Sequence, residues 1–135
     1  MSSDESRSCF GCGKDNQCGL RLDTRFDGER LFASYIAREE HEGYTGILHG
    51  GITASLLDEM MGGLLQKKGM YCVTAELAVT YILPVQTGDQ LDCFAEEIAS
   101  DGRKIRMRGV AKLLDGTIVA TSEALFIKIR DNKED

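Results

Sequence analysis

The chain has 135 residues, 42% hydrophobic and 28% charged, with a formal net charge of -6. That length suits one domain with a real core but not two, and the acidic balance argues against general nucleic-acid binding. No apolar run approaches the roughly 20 residues that span a bilayer, and the polar, acidic start (Ser2, Ser3, Asp4, Glu5) does not resemble a signal peptide, so no membrane partner is expected and the expected location is the cytoplasm.

Residues 1–8 and 131–135 read as disordered tails around a single domain over 9–130. Cys9, Cys12 and Cys18 follow with C-x2-C-x5-C spacing. A structural zinc site wants four ligands, and only His41 and His49, both far along the chain, could add a nitrogen. The expectation is a tight glycine-rich turn with reduced thiols and no metal. Cys72 and Cys93 lie in apolar runs and read as small core residues. An odd count of five cysteines in a chain without an export signal argues against a disulfide scaffold.

Asp27-Gly28, Asp101-Gly102 and Asp115-Gly116 are hairpin signals flanked by strand-like sequence. The first joins strands near Leu20–Phe26 and Arg30–Ala37. The second joins Gln90–Ala99 to Arg103–Leu113, and the third leads into Thr117–Ile129. Another strand runs from about Cys72 to Leu83 and stops at Pro84, the only proline. Ile105, Met107, Ala111 and Leu113 alternate with Lys104, Arg106, Arg108 and Lys112, giving one core face and one wet face. The last strand is apolar on both faces, so both are expected to be covered.

One helix, about Gly50 to Lys67, separates the second and third strands. From Ile52 to Leu65 apolar or small residues occur on every side, the pattern of a buried helix. Such a helix needs a sheet curled around it, a second copy of the chain over it, or both; both are expected. Gly62 and Gly63 each cost roughly 1 kcal/mol relative to alanine in a helix interior, which suggests close approach by another backbone, with a frayed helix end as the alternative. Leu56, Met60, Met61 and Leu64 read as an adaptable lining for an acyl group.

The same helix carries Asp58 and Glu59, although burying an unpartnered carboxylate costs several kcal/mol. At its start, Gly50 and Gly51 leave bare N–H groups at the positive end of the helix dipole. Donors for a developing oxyanion, with a carboxylate about two turns on, make an acyl-transfer constellation. Glu59 projects about 100° further round; Asp58 is the favoured acid and Glu59 reads as a helix-surface or interface group.

Gly46-Ile47-Leu48-His49-Gly50-Gly51, Asp58 seven residues after the second glycine, Val79-Thr80-Tyr81 with Pro84, and Gly88-Asp89 form an ordered set. With it the chain resembles the hotdog-fold acyl-CoA thioesterases of the PaaI type (phenylacetyl-CoA thioesterase-like). Cys9-Phe10-Gly11-Cys12-Gly13, Asn16 and Gly19-Leu20 look like a lead-in of many bacterial members, so the likeness runs from about Cys9 to Ile129. It implies an α+β hotdog fold, a curved antiparallel sheet wrapped around one central helix. It also implies homodimers that share a continuous sheet, often paired into tetramers, with active sites at the dimer interface. The charged Lys104–Lys112 face makes a dry sheet-to-sheet tetramer contact less attractive.

The implied activity is hydrolysis of a medium-chain or aryl acyl-CoA to free acid and coenzyme A, without a cofactor. In that resemblance the Gly50 N–H holds the thioester carbonyl, Gly51 shapes the turn and His49 ties the loop. Asp58, from the partner chain, is the general base or nucleophile, and Thr74 positions water. Leu83, Pro84, Val85, Arg103 and Lys104 would contact coenzyme A. Many relatives carry Asn or Gln where this chain has Gly43, so the auxiliary polar group is open. A non-catalytic acyl-CoA sensor on the same fold is the alternative reading. A hydratase-type lyase ranks last, because its Asp–His pairing is missing.

Overall fold

The computed structural model describes residues 7–131. The elements are β1 (Thr24–Phe26), β2 (Leu31–Ile36), a short 3-10 turn (Glu39–His41), α1 (Gly50–Lys67), β3 (Met70–Tyr81), β4 (Gln90–Asp101), β5 (Lys104–Leu113) and β6 (Ile118–Asp131). All pairings are antiparallel, and the sheet order is β1-β2-β4-β5-β6-β3. The sheet curls around α1, which is the α+β hotdog arrangement. Most of the expected tails lie outside the described residues. Of the rest, Arg7 and Ser8 belong to a turn, where Arg7 pairs with Asp15, and Asp131 closes β6.

The Asp-Gly turns form for local reasons. Gly28, Gly102 and Gly116 adopt positive φ (101°, 61° and 94°), which glycine enters at no steric cost. The Asp27 carboxylate accepts from the N–H groups of Glu29 and Arg30 at 2.8 and 2.7 Å, and Asp115 accepts from Thr117 N–H at 2.9 Å. The first strand is shorter than expected. Leu20 and Leu22 are buried, but their N–H groups go back to Phe10 and Gly11 rather than across a ladder. They belong to the N-terminal lead-in, and β1 begins only at Thr24.

Thr53, Leu56, Leu57, Met60, Met61, Leu64 and Leu65 form the buried stripe of α1. They pack with Leu31, Leu91, Met107 and Phe126 in one core. Burying one large aliphatic side chain contributes about 1.5–3 kcal/mol, so this stripe holds the helix. Leu56, Met60, Met61 and Leu64 have no exposed surface at all; they are core, not the acyl-group lining expected of them. The opposite stripe (Ala54, Ser55, Asp58, Glu59, Gly62) is only half-buried, so α1 is not equally covered all round.

Gly62 and Gly63 face side chains rather than another backbone, and α1 continues past them. A Cβ on Gly62 would meet the Phe126 ring at 3.4 Å, and one on Gly63 would meet Leu31 Cδ2 at 3.1 Å. β5 alternates as expected, with Ile105 and Met107 buried and Lys104, Arg106 and Arg108 exposed. β6 differs from expectation. Its inner residues Ala120, Ser122, Ala124 and Phe126 are buried, while Glu123 is exposed and Leu125 and Ile127 are half-buried on the other face. Beyond Val119 the outer face is only partly covered within the chain.

β3 follows the helix and joins β6, so it ends as a sheet edge. The strand is mostly exposed, with Tyr71, Val73, Leu77 and Tyr81 uncovered. A long apolar edge is a template for another strand. Among the described residues no helix is long and apolar enough to cross a membrane.

Gly62→Ala tests the helix packing. The added methyl meets Phe126 at an ordinary contact distance, and the lost chain entropy of glycine is recovered. Urea unfolding is expected to show a gain of about 0.4–1 kcal/mol; a loss would mean the α1–β6 contact is tighter than described.

Candidate active site

His49 caps α1 from an extended conformation (φ -64°, ψ 134°), and its Nδ1 accepts the Gly51 N–H at 2.8 Å. Its carbonyl accepts from Ile52 and Thr53, and its own N–H donates to the His41 carbonyl at 2.9 Å. The ring lies so close over the turn that a Cβ on Gly51 would sit 3.0 Å from it, a reason for glycine there. The Gly51 N–H is therefore occupied. Among the described residues the Gly50 N–H makes no hydrogen bond, so it is the open donor at the helix start. The Gly50 carbonyl accepts from the Tyr81 hydroxyl at 2.6 Å.

Gly50 opens on a pocket of about 280 Å³, whose lining includes Leu48, Thr53, Tyr81, Leu83, Pro84 and Val85. The three-residue stretch Leu83-Pro84-Val85 thus lies beside the helix start. The loop before His49 is held from beneath. Buried His41 faces the Tyr35 hydroxyl through Nδ1 at 2.6 Å and the Cys18 carbonyl through Nε2 at 2.7 Å. Burial pushes the Tyr35 phenol up to about 12, so Tyr35 keeps its proton and donates. At Gly43 a Cβ would come within 3.2–3.5 Å of His49. A side chain there would need His49 to give by a few tenths of an ångström.

Asp58 and Thr74 meet. The Thr74 hydroxyl donates to Asp58 Oδ1 at 2.7 Å, in a second pocket of about 370 Å³ that Glu59, Gln66, Cys9, Cys12 and Phe126 also line. A register shift between Thr74 and Glu76 leaves Ala75 as an extra residue. Strand faces alternate with period two, so without this bulge Thr74 and Tyr81 would face opposite sides. With it, both reach α1. The role of Tyr81 carries no sequence signal, because no feature of the sequence marks the bulge.

Glu59 is half-buried and lines the same pocket as Asp58. It reaches the N-terminal turn, where a Cβ on Gly11 would fall 2.2 Å from its carboxylate. Burial raises its pKa above the ordinary carboxylate value; a hydrogen bond with Cys12 opposes the shift, and the Asp58 charge adds to it. Burial, then the charge of Glu59, pushes the Cys12 thiol up to about 12.

The expected site takes Asp58 from a partner chain, and within one chain Asp58 and Gly50 are apart. Gly50 and Asp58 open on separate pockets, and eight helical residues separate them by about 12 Å. Arg103 and Lys104 lie at the β4–β5 turn, outside both pockets. There Arg103 Nη1 donates to the carbonyls of Lys128 and Ile129 at 2.9 and 3.1 Å.

Comparison with known proteins fits this geometry. The Thioesterase superfamily family model matches residues 45–120. Human acyl-coenzyme A thioesterase 13 is 36% identical over 64 residues, 46% of each chain. The chain spans less than half the length of such curated relatives. A hypothetical thioesterase protein with coenzyme A from Streptococcus pneumoniae superposes with a TM-score of 0.78 at 16% identity, covering 82% of this chain and 90% of that one. Variants of the streptococcal protein have been solved with alanine replacing an aspartate and, sixteen residues further on, a threonine. Thioesterase superfamily member 2 of Mus musculus superposes with a TM-score of 0.72 at 20% identity, covering 80% and 87%.

Gly50→Pro is expected to leave the fold intact. Proline is favoured at the first helical position, His49 already has the extended backbone that precedes proline, and only ordinary contacts to Tyr81 await a Cβ. Its unfolding free energy should stay within about 1 kcal/mol of the parent. A larger loss would mean that the Gly50 N–H has a structural partner.

Proposed function

The chain belongs to the thioesterase superfamily, and we propose that it hydrolyses an acyl-CoA thioester to a free acid and coenzyme A. The observation that carries this reading is the Thr74–Asp58 hydrogen bond. It sets a fixed carboxylate beside a pocket, at the sixteen-residue Asp-to-Thr spacing of the positions replaced in the streptococcal relative.

The thioester carbonyl oxygen accepts from the open Gly50 N–H, where the helix dipole favours the charge that builds in the transition state. Asp58 removes a proton from water as it attacks the carbonyl carbon, or attacks directly and forms an anhydride that water opens. In both routes the C–S bond breaks and the coenzyme A thiolate leaves, then takes a proton. Thr74 holds one Asp58 oxygen and so orients the other. His49 keeps the helix start rigid.

Gly50 and Asp58 of one chain are too far apart to serve one carbonyl. The reading therefore pairs Gly50 of one copy with Asp58 of a second, in a homodimer joined along the exposed β3 edge. Pairing of two such dimers would give a tetramer. Leu48, Leu83 and Val85 give the Gly50 pocket an apolar wall, which suits a medium-chain or aryl acyl group. Arg103, already held by two carbonyls, and Lys104 would meet coenzyme A phosphates from the sheet end. Free thiols at all five cysteines suit a reducing cytoplasm.

Thiol release from acetyl-, hexanoyl-, palmitoyl-, benzoyl- and phenylacetyl-CoA tests the reading. The parent should turn over hexanoyl or aryl substrates, Asp58→Asn should lose most turnover while folded, and Gly50→Pro should fall about 100- to 1000-fold. Asp58→Asn working as fast as the parent would contradict the assignment. Saturable binding by the parent with no turnover would identify a sensor instead.

A further inference from the structure

The N-terminal turn brings two thiols and a carboxylate to one point. Cys9 Sγ, Cys12 Sγ and a Glu59 carboxylate oxygen lie within 4.8 Å of one another. The donors arrive on fixed backbone. Gly13 N–H donates to the Cys9 carbonyl at 2.9 Å, and Leu20 and Leu22 N–H groups pin Phe10 and Gly11 at 2.6 and 3.0 Å. Glycine is needed at position 13, where a Cβ would strike the Arg7 carbonyl at 2.3 Å, and at Gly11 a Cβ would push the Glu59 carboxylate aside. The turn is shaped to admit that acid.

Cys18 is not in the cluster. It is exposed, and its carbonyl is tied to His41. The third ligand suggested by the cysteine spacing is thus replaced by an acid from α1. Two soft sulfurs and a carboxylate at this separation suit zinc better than magnesium or calcium. Zn–S bonds of about 2.3 Å put tetrahedral sulfurs about 3.8 Å apart, so side-chain movement of about an ångström closes the set.

We propose that Cys9, Cys12 and Glu59 bind one zinc ion that fastens the N-terminal turn to α1 beside Asp58. Coordination releases the thiol protons to solvent and changes no oxidation state. Three protein ligands fall short of a closed structural site, so water would complete the set as in an open one; the three ligands line the pocket that Asp58 and Thr74 share. The ion would then hold one wall of that pocket, a role separate from thioester hydrolysis.

The full chain, reduced and stripped of metal, is titrated with Co2+ and then Zn2+. One equivalent of Co2+ is expected to produce thiolate-to-cobalt charge-transfer absorption, and one equivalent of Zn2+ to abolish it. Cys18→Ser should behave as the parent. Cys9→Ser and Cys12→Ser should lose much of the absorption, and Glu59→Gln should weaken zinc binding by about 10-fold or more. Zinc should raise the melting temperature of the parent and of Cys18→Ser but not of Cys12→Ser. Absence of stoichiometric binding in the parent and Cys18→Ser, or binding unchanged in Cys9→Ser and Cys12→Ser, would overturn the proposal.

Discussion

The side chains of α1 from Thr53 to Leu65 that are buried against the curled sheet set the rotation of the helix, and that rotation places every other group. Turning the helix would expose Leu56, Leu57, Met60 or Met61, at about 1.5–3 kcal/mol each. With those inside, Asp58 and Glu59 must lie on the half-buried stripe. Asp58 then meets β3, and Glu59 meets the N-terminal turn. The helix start is fixed separately, by the His49 ring over Gly51. That ring leaves Gly50 with the free N–H. One burial and one cap therefore produce an open N–H donor and a carboxylate on the same helix, pointed into different pockets.

That separation gives the β3 edge its importance. β3 carries Thr74 against Asp58 and Tyr81 against the Gly50 carbonyl, so it touches both proposed half-sites. It is also the open edge of the sheet, with apolar side chains exposed along it. In the proposed dimer, β3 edges of two copies pair, and the half-sites complete each other across the seam. Binding and assembly become one event. Catalysis would then require two copies, and dilution below the dimer dissociation constant would silence a correctly folded chain.

Much of this was legible in the residues. The bounds of α1 matched Gly50–Lys67 because a cap, an apolar run and the following glycine mark them locally. The three hairpins followed from Asp-Gly pairs, whose turn preference is also local. What failed was long-range. Leu20 and Leu22 read as strand, yet they pair back onto Phe10 and Gly11. Gly62 and Gly63 suggested a neighbouring backbone, whereas Phe126 and Leu31 press there. Tyr81 gained no role because the bulge at Ala75 reverses the face of everything after it. Nothing local shows that Glu59 reaches the N-terminal turn at Gly11, far earlier in the chain.

The central claim is that Gly50 and Asp58 act from different copies. Asp58→Asn and Gly50→Pro chains, each inactive alone, can be mixed in equal amounts under conditions that exchange subunits, and thiol release followed. Half of the dimers would then be mixed, each with one intact site, so the mixture is expected to regain about a quarter of parental activity. Activity that stays at the level of the separate variants, with mixed dimers shown to be present, would contradict a site shared between copies.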